Sequence, residues 1–404
     1  MDLSYSSEAE AYRETVSQFL DANWPLKGKE KDELSFDEQC ALFRERATEA
    51  GFLYRSIPRK YGGSEQESDA LIAQVIREEF NKRWAPMEAR GIGTMMLVPT
   101  LLERGEEWMK DRFVQQTLLG EVKWCQGYSE PGSGSDLASL KTRGEIVGDE
   151  WVINGQKIWT TNAHEADYMF ILVRTEPDAP KHAGISYLLI DMKQPGIEVR
   201  PLRQMTGTID FNEVFFNDAK TPKDWIVGKR GEGWNVSRTT LKHERNSIGS
   251  TAQTDAQFAR LLKLAQNTQR NGKPAIEDED VRQRLAVLEG QILAHKYSGY
   301  RQLTKDTKGE DPGIIRLMTK LYSTEIGHAV AKLAMDLIGD SGLMGAGDAQ
   351  LGAIPRGDEA WIGQYMYSLG IAIAGGSANI QRNVIAERGL GLPRDAAADR
   401  SKSN

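Results

Sequence analysis

Trp124-Cys125-Gln126-Gly127-Tyr128-Ser129-Glu130-Pro131-Gly132-Ser133-Gly134-Ser135-Asp136 is the stretch on which the reading of this chain turns. A short strand at its start runs into a loop of glycine and serine around one proline. Such a loop exposes backbone amides and hydroxyls at the mouth of a sheet, where a polar ring edge or a phosphate is readily held. Taken alone, the same composition also describes an ordinary turn rich in small residues.

The neighbouring segments place that loop in a sheet. Residues 141–147, 150–153 and 156–160 are strand-like runs, separated by Gly148-Asp149 and Asn154-Gly155, both favourable hairpin turns. Further strands are expected at 168–174, 184–191, 197–202 and 211–216. No helical period interrupts them, which predicts an antiparallel sheet or barrel rather than βαβ units. Upstream, Tyr12, Val16, Phe19 and Leu20 recur at helical spacing over 7–22, and a second helix opens on the capping box Ser35/Glu38 and stops at Gly51. Helices are also expected at 66–82 and 106–120, with Ile57–Gly63 as a connector. Downstream, long helices are expected at 234–270, 278–304, 313–338 and 359–389, the last interrupted at Gly375-Gly376. Long helices joined by short turns predict a bundle. The expected fold is α+β in three parts: an N-terminal helical domain over 1–122, a middle antiparallel β-barrel domain over 123–233 and a C-terminal four-helix bundle over 234–404.

Composition removes several function classes. The chain has 404 residues, 40% of them hydrophobic and 27% charged, which is ordinary for a multidomain globular protein. A net charge of −7 argues against nucleic acid as a partner. Cys40 and Cys125 stand far apart, so neither a disulfide framework nor a cysteine-based metal site is expected. The start, Met1-Asp2-Leu3-Ser4-Tyr5-Ser6-Ser7-Glu8, has acids and no apolar run, and no segment approaches the ~18 apolar residues of a membrane span. These features predict a soluble, cytoplasmic protein of a reducing compartment, with no membrane partner and no metal.

Familiar motifs are missing. Neither a P-loop nor a glycine-rich dinucleotide fingerprint is found, and His243-Glu244 lacks the second histidine of a zincin because Ser247 stands there. Gly339-Asp340-Ser341-Gly342 resembles a serine-protease tetrapeptide but ends a helical run, a poor setting for a catalytic serine.

The opening stretch gains its meaning from company. Trp151-Val152-Ile153-Asn154-Gly155-Gln156-Lys157-Ile158-Trp159-Thr160-Thr161-Asn162 follows it, then Phe211-Asn212-Glu213-Val214-Phe215-Phe216, Gly228 to Trp234, and Ile380-Gln381-Arg382-Asn383-Val384-Ile385-Ala386-Glu387-Arg388. Together and in this order, these segments resemble the acyl-CoA dehydrogenase family of flavoproteins over nearly the whole chain. The resemblance implies FAD-dependent α,β-dehydrogenation of an acyl-CoA thioester to the trans-2-enoyl-CoA in lipid catabolism of the β-oxidation type. It also implies electrons passed to an electron-transfer flavoprotein and a homotetramer built as a dimer of dimers. It places Gln126 and Ser129 at the pyrimidine edge of FAD, Trp159 against the ring, and the Thr161 hydroxyl at the N5/O4 edge. Ser135 falls on the CoA portion of the substrate, and Ser377 and Asn379 lie where the C-terminal segment meets FAD.

The base is where the chain departs from the best-known members. Their glutamate precedes the Ile-Gln-Arg motif, where this sequence reads Ala374-Gly375-Gly376-Ser377. Another branch, of isovaleryl- and long-chain type, supplies the base from a Leu-x-x-Glu-Arg helix. Leu241-Lys242-His243-Glu244-Arg245 fits that pattern, so the resemblance assigns Glu244 as the α-proton base, with Leu241, Arg245 and Gly375 beside the substrate. The bland alternative for Glu244 is a surface carboxylate paired with a neighbouring basic side chain, the usual fate of a glutamate on a helix. The family's arginine for the FAD pyrophosphate falls on Thr268, with Arg270 two places away, and Asp336 and Asp340 stand in the segment that usually completes that site. Two further readings stay open: a flavin-dependent monooxygenase or oxidase of the same fold, which would not need Glu244, and a mainly structural subunit of a heteromeric acyl-CoA dehydrogenase.

Overall fold

The computed structural model describes residues 5–67, 69–89, 91–248, 251–343 and 357–393, of which 245–248, 251–252 and 357–359 are described by backbone alone. Its N-terminal part is helical: α1 (Ser7–Asn23), α2 (Lys29–Glu33), α3 (Phe36–Glu49), α4 (Ala70–Lys82), α5 (Val98–Arg104) and α6 (Glu107–Leu119). A π-helical turn, Gly93–Leu97, leads directly into α5. The capping box of α3 forms, with Ser35 Oγ accepting from the Glu38 N–H and the Glu38 carboxylate accepting from the Ser35 N–H. The helix expected from residue 66 begins at Ala70 instead, because Asp69 Oδ1 accepts from the N–H groups of Leu71 and Ile72 at 2.8 and 3.0 Å and caps it there.

The middle part is one seven-stranded sheet: β1 (Trp124–Gly127), β2 (Arg143–Val147), β3 (Glu150–Thr161), β4 (Tyr168–Arg174), β5 (Ile185–Asp191), β6 (Ile197–Leu202) and β7 (Phe211–Pro222). Strand order is β1-β4-β2-β3-β7-β6, with β5 on β4. Most pairs are antiparallel, as the turn spacing requires, but β1 lies parallel to β4 and β2 meets β4 in parallel at Arg143. The Asn154-Gly155 turn expected from sequence is not a turn. β3 runs straight through it, and a register shift between Ile153 and Gly155 absorbs the irregularity. Gly155 has φ +149°, and a Cβ there would sit 2.6 Å from the Thr142 hydroxyl, so the glycine serves a bulge rather than a hairpin. The Asn154 amide is used across the sheet, donating to Asp218 Oδ1 and accepting from the Asp218 N–H, each at 2.9 Å.

The C-terminal part begins with α7 (Gly233–Ile248) and continues through α8 (Thr251–Asn267), the two-residue strands β8 (Gln269–Arg270) and β9 (Lys273–Pro274), α9 (Glu279–Thr307), α10 (Ile314–Ile338), α11 (Gly357–Ile371) and α12 (Ala378–Val384). Helix α10 packs against α8, α9 and α11 around Leu261, Ala265, Val281, Ile326, Val330 and Ala334. Helix α7 lies mainly elsewhere. It packs on β5, on the π-helical turn and on α5. A single core of Met96, Leu101, Phe113, Trp124, Tyr128, Phe170, Tyr187 and Val236 joins the N-terminal helices, the sheet and α7. Full burial of each large side chain there contributes about 1.5–3 kcal/mol, so the α7 position is anchored.

Candidate active site

Two neighbouring backbone features build the site at the end of β1. The first is the loop itself, closed by reciprocal hydrogen bonds between Glu130 and Ser133 (2.9 and 3.0 Å) around Pro131-Gly132. The second is a bulge in β3: the register against β7 slips between Lys157 and Thr160, so Trp159 falls in the irregular step. Its φ is +60°, a left-handed backbone that costs a bulky residue roughly 1–2 kcal/mol. Strain of this kind persists where the surroundings impose it and clusters at functional sites. The bulge turns the indole outward, 59% exposed, with only Phe211 edge-on at 6.0 Å. A flat, exposed aromatic on a rigid strand suits the face of a planar ligand.

Loop and bulge are stapled by residues that the sequence reading did not single out. Lys157 is fully buried, and its Nζ donates to Tyr128 O (3.1 Å) and Glu130 Oε1 (2.8 Å). The N–H groups of Lys141 and Thr142 also donate to the Glu130 carboxylate, at 2.6 and 2.9 Å, and the Ile158 N–H donates to Ser129 O at 2.9 Å. Burial pushes the Lys157 ammonium down, to about 8, against the pull of Glu130. Burial acts upward on Glu130, but Lys157, Thr142 and Lys141 outweigh it and hold the carboxyl below its ordinary range. One signal was available: Lys157 occupies an inward position of a strand whose inward neighbours include Trp151 and Ile153.

Gln126, Ser129, Trp159 and Thr161 are therefore brought to one place. Ser129 is half-buried beside Ile158, and Thr161 ends β3 opposite Phe211. The Gln126 Nε2 atom is buried without a hydrogen-bond partner, a costly state that a ligand acceptor would relieve. Ser135 is exposed further along the loop, where Asp136 is tied to Lys181 at 2.9 Å.

Helix α7 brings Glu244 to the same region. Glu244 is half-buried and Leu241 packs on the shared core, while the Arg245 side chain lies outside the described residues. Beside this face is a buried hydroxyl cluster. The Tyr128 hydroxyl stands next to Tyr187 and Thr240 without a hydrogen bond inside 3.5 Å. Burial first, then the Tyr187 and Glu244 oxygens, push its phenol well above the ordinary value.

The turn before α12 is rich in donors. Gly375 and Gly376 have φ +63° and +99°, conformations that L side chains rarely adopt. Their carbonyls are engaged: Gln381 Nε2 donates to Gly375 O at 3.3 Å, and the buried Lys320 Nζ donates to Gly376 O at 3.0 Å. Among the described residues, the Gly375 and Gly376 N–H groups donate to no backbone acceptor. Ser377 caps α12, its Oγ accepting from the Ile380 N–H at 3.4 Å, and Asn379 is exposed.

Arg270 lies apart. It lines a cleft of about 320 Å³ in the bundle with Thr268, Arg284 and Asp336. Both arginines there are paired: Arg270 with Asp278 at 3.4 Å, and Arg284 with Asp336 at 2.6 Å. No group of three His, Cys, Asp or Glu side chains among the described residues could hold a metal, and no described helix is long and apolar enough to cross a membrane.

Three family models match the chain in succession: the N-terminal, middle and C-terminal domains of acyl-CoA dehydrogenase, over residues 6–121, 125–219 and 231–390. The acyl-CoA dehydrogenase IpdE1 of Mycobacterium tuberculosis is 38% identical over 375 residues, 92% of this chain and 92% of that one. Among solved structures, the ChsE4-ChsE5 complex from Mycobacterium tuberculosis matches with a TM-score of 0.75 at 28% identity, covering 98% of this chain and 100% of that chain. The Tcur3481-Tcur3483 steroid ACAD matches with a TM-score of 0.76 at 26% identity, over 98% and 100%.

Proposed function

The chain belongs to the acyl-CoA dehydrogenase family, and from that premise we propose that it dehydrogenates an acyl-CoA thioester to the trans-2-enoyl-CoA, with FAD as cofactor and Glu244 as the α-proton base. The observation that carries this reading is the place of Glu244 on α7, close enough to Tyr128 of the Gln126–Ser129 loop to act on its phenol. The Gly375-Gly376 turn, where the best-known members carry the base, has no carboxylate.

The chemistry divides between them. The α-hydrogen of a thioester is a very weak acid, so a carboxylate removes it only where the developing oxyanion is stabilised. Among the described residues the N–H groups of Gly375 and Gly376 donate to no backbone acceptor, and either would do that; each such donor is worth roughly 10²–10³ in rate. Glu244 takes the α-proton. A glutamate at Gly375 would have to adopt a left-handed backbone, which supports the Leu241-x-x-Glu244-Arg245 helix as the source of the base. Bound FAD would supply the acceptor for the β-hydride. Gln126, Ser129, Trp159 and Thr161 would hold its ring, and the unpartnered Gln126 amide and outward Trp159 fit that use. Ser135 would meet the CoA portion, Leu241 and Arg245 the acyl side, and Ser377 and Asn379 the cofactor.

Electrons would leave to an electron-transfer flavoprotein. The assembly is a tetramer built as a dimer of dimers, and one observation favours two kinds of chain within it. Among the described residues, both arginines of the Arg270 cleft are already paired with aspartates, which opposes a pyrophosphate there, and a partner of different sequence would supply that contact for a flavin lying there. The structure of ChsE4 with ChsE5 is a precedent for mixed assembly. With no side chain at Gly375 the acyl group would be bulky or branched, whereas the space beside Gly376 is taken by Gln381, 2.8 Å from where a Cβ would stand. The test is direct: flavin per chain in the purified protein, alone and with candidate partner chains, and anaerobic bleaching of that flavin by a series of acyl-CoA thioesters. Protein that takes up no flavin in any combination would overturn the reading.

A further inference from the structure

We infer that Thr240, acting with Thr100, is a positioning residue for Glu244: the contact between their hydroxyls sets the rotation and height of the α7 turn that presents the carboxylate. The inference rests on the reading of Glu244 as the base and adds a device that holds it.

The two threonines are fully buried where α5 crosses α7, and their hydroxyl oxygens lie 3.0 Å apart. Each hydroxyl has one proton and a carbonyl one turn back: Met96 O lies 2.6 Å from Thr100 Oγ1, and Val236 O lies 3.3 Å from Thr240 Oγ1. The shorter contact holds the Thr100 proton, which favours Thr240 as the donor between the two hydroxyls. Met96 belongs to the π-helical turn before α5, and such turns recur at functional sites. The contact is the centre of a polar seam. Arg104 Nε donates to Thr239 Oγ1 at 3.4 Å, and His243 Nε2 lies 2.8 Å from Glu103 Oε1. Residues 100, 103 and 104 of α5 thus face 240, 243 and 239 of α7, and Glu244 follows Thr240 by one turn on the same face. On the other side, Thr240 Oγ1 lies 3.5 Å from the Tyr187 hydroxyl, next to Tyr128 of the flavin loop.

An apolar pair would fill this crossing as well, without the cost of burying hydroxyls. Apolar contacts, however, let one helix turn or slide on another, whereas a satisfied network of directed hydrogen bonds selects one arrangement. Proton abstraction needs that selection, because misplacement by about 1 Å can cost 10²-fold in rate.

The experiment compares Thr240→Val, Thr100→Val, the double variant and Thr240→Ser in the flavin-loaded enzyme. The probe is whichever of butanoyl-, isovaleryl-, octanoyl- and 3-cyclohexylpropanoyl-CoA reduces the wild type fastest. Each valine variant should slow anaerobic flavin reduction by about ten- to a hundredfold. Thioester affinity, flavin content and unfolding temperature should stay near wild type. The double variant should be no slower than either single one, since both remove the same contact. Serine at 240 should restore the rate. Wild-type rates in the valine variants, additive losses, or a loss that tracks flavin content and unfolding temperature would each overturn the inference. Glu244→Gln is measured alongside. If it abolishes reduction while Thr240→Val does not slow it, the positioning role alone falls; if it reduces normally, the base assignment falls and takes the positioning role with it.

Discussion

Replacing Lys157 by methionine shortens the unbranched side chain by one atom and removes its charge from a fully buried position. Three losses follow. Glu130, 8% exposed, loses the cation 2.8 Å from its carboxylate; Tyr128 O loses a donor; and the loop loses its side-chain attachment to β3. Removing one partner of a buried ion pair costs about 3–5 kcal/mol. Glu130 keeps the N–H donors of Lys141 and Thr142, which puts this case near the lower end, at about 3 kcal/mol. At about 2–4 °C per kcal/mol for large domains, apparent Tm should fall by about 6–12 °C. Flavin content should fall with it, because the loop that meets the ring is no longer fixed to the strand that carries Trp159. The assay is thermal unfolding followed by intrinsic and flavin fluorescence together. A variant that unfolds within about 1 °C of wild type and keeps its flavin would refute the claim that this pair assembles the site.

Other substitutions separate binding from stability. Trp159→Gly removes an exposed ring and relieves about 1–2 kcal/mol of left-handed strain, so the flavin-free protein should unfold no lower than wild type while flavin affinity falls, as read by titration. Asp336→Asn removes the nearer of the two carboxylates on Arg284, at 2.6 Å, and leaves Asp280 at 3.6 Å; titration should show tighter binding of ADP or of the flavin tail at the Arg270 cleft. In the N-terminal helices, Glu79 is buried with Arg13 at 2.9 Å, Lys82 at 2.6 Å and Arg83 at 3.0 Å. Burial acts upward on its carboxyl, but those cations outweigh it and hold the carboxyl below the ordinary range. Its stabilisation is then complete above the unfolded value of about 4.3 and is lost as pH falls through the lower folded value. Glu79→Gln should flatten that acid limb in a plot of Tm against pH.

The helical, β, helical order was legible because each part has its own period, and the caps at Ser35 and the hairpin at Gly148-Asp149 are local chemistry. Asn154-Gly155 misled because the same dipeptide serves a hairpin or a bulge, and only its partners, Thr142 and Asp218, decide between them. The π-helical turn and α5 left no trace because Met95, Met96, Leu97, Val98 and Leu101 give no polar face to contrast with. The loop with Trp159 and Thr161 was legible as a motif. Its staple was not, since Glu130 and Lys157 lie 27 residues apart and meet only through the strand pairing. The Thr100–Thr240 contact, at a separation of 140 residues, has no local signature at all.

The central claim is that Glu244 removes the α-proton, and anaerobic single-turnover reduction of the flavin in Glu244→Gln tests it without interference from product release. The amide keeps size and hydrogen bonding but cannot accept the proton. Flavin content and thioester affinity should match wild type, while the reduction rate should fall by about 10²–10⁴-fold or more. Reduction at a near wild-type rate would place the base elsewhere and contradict the account.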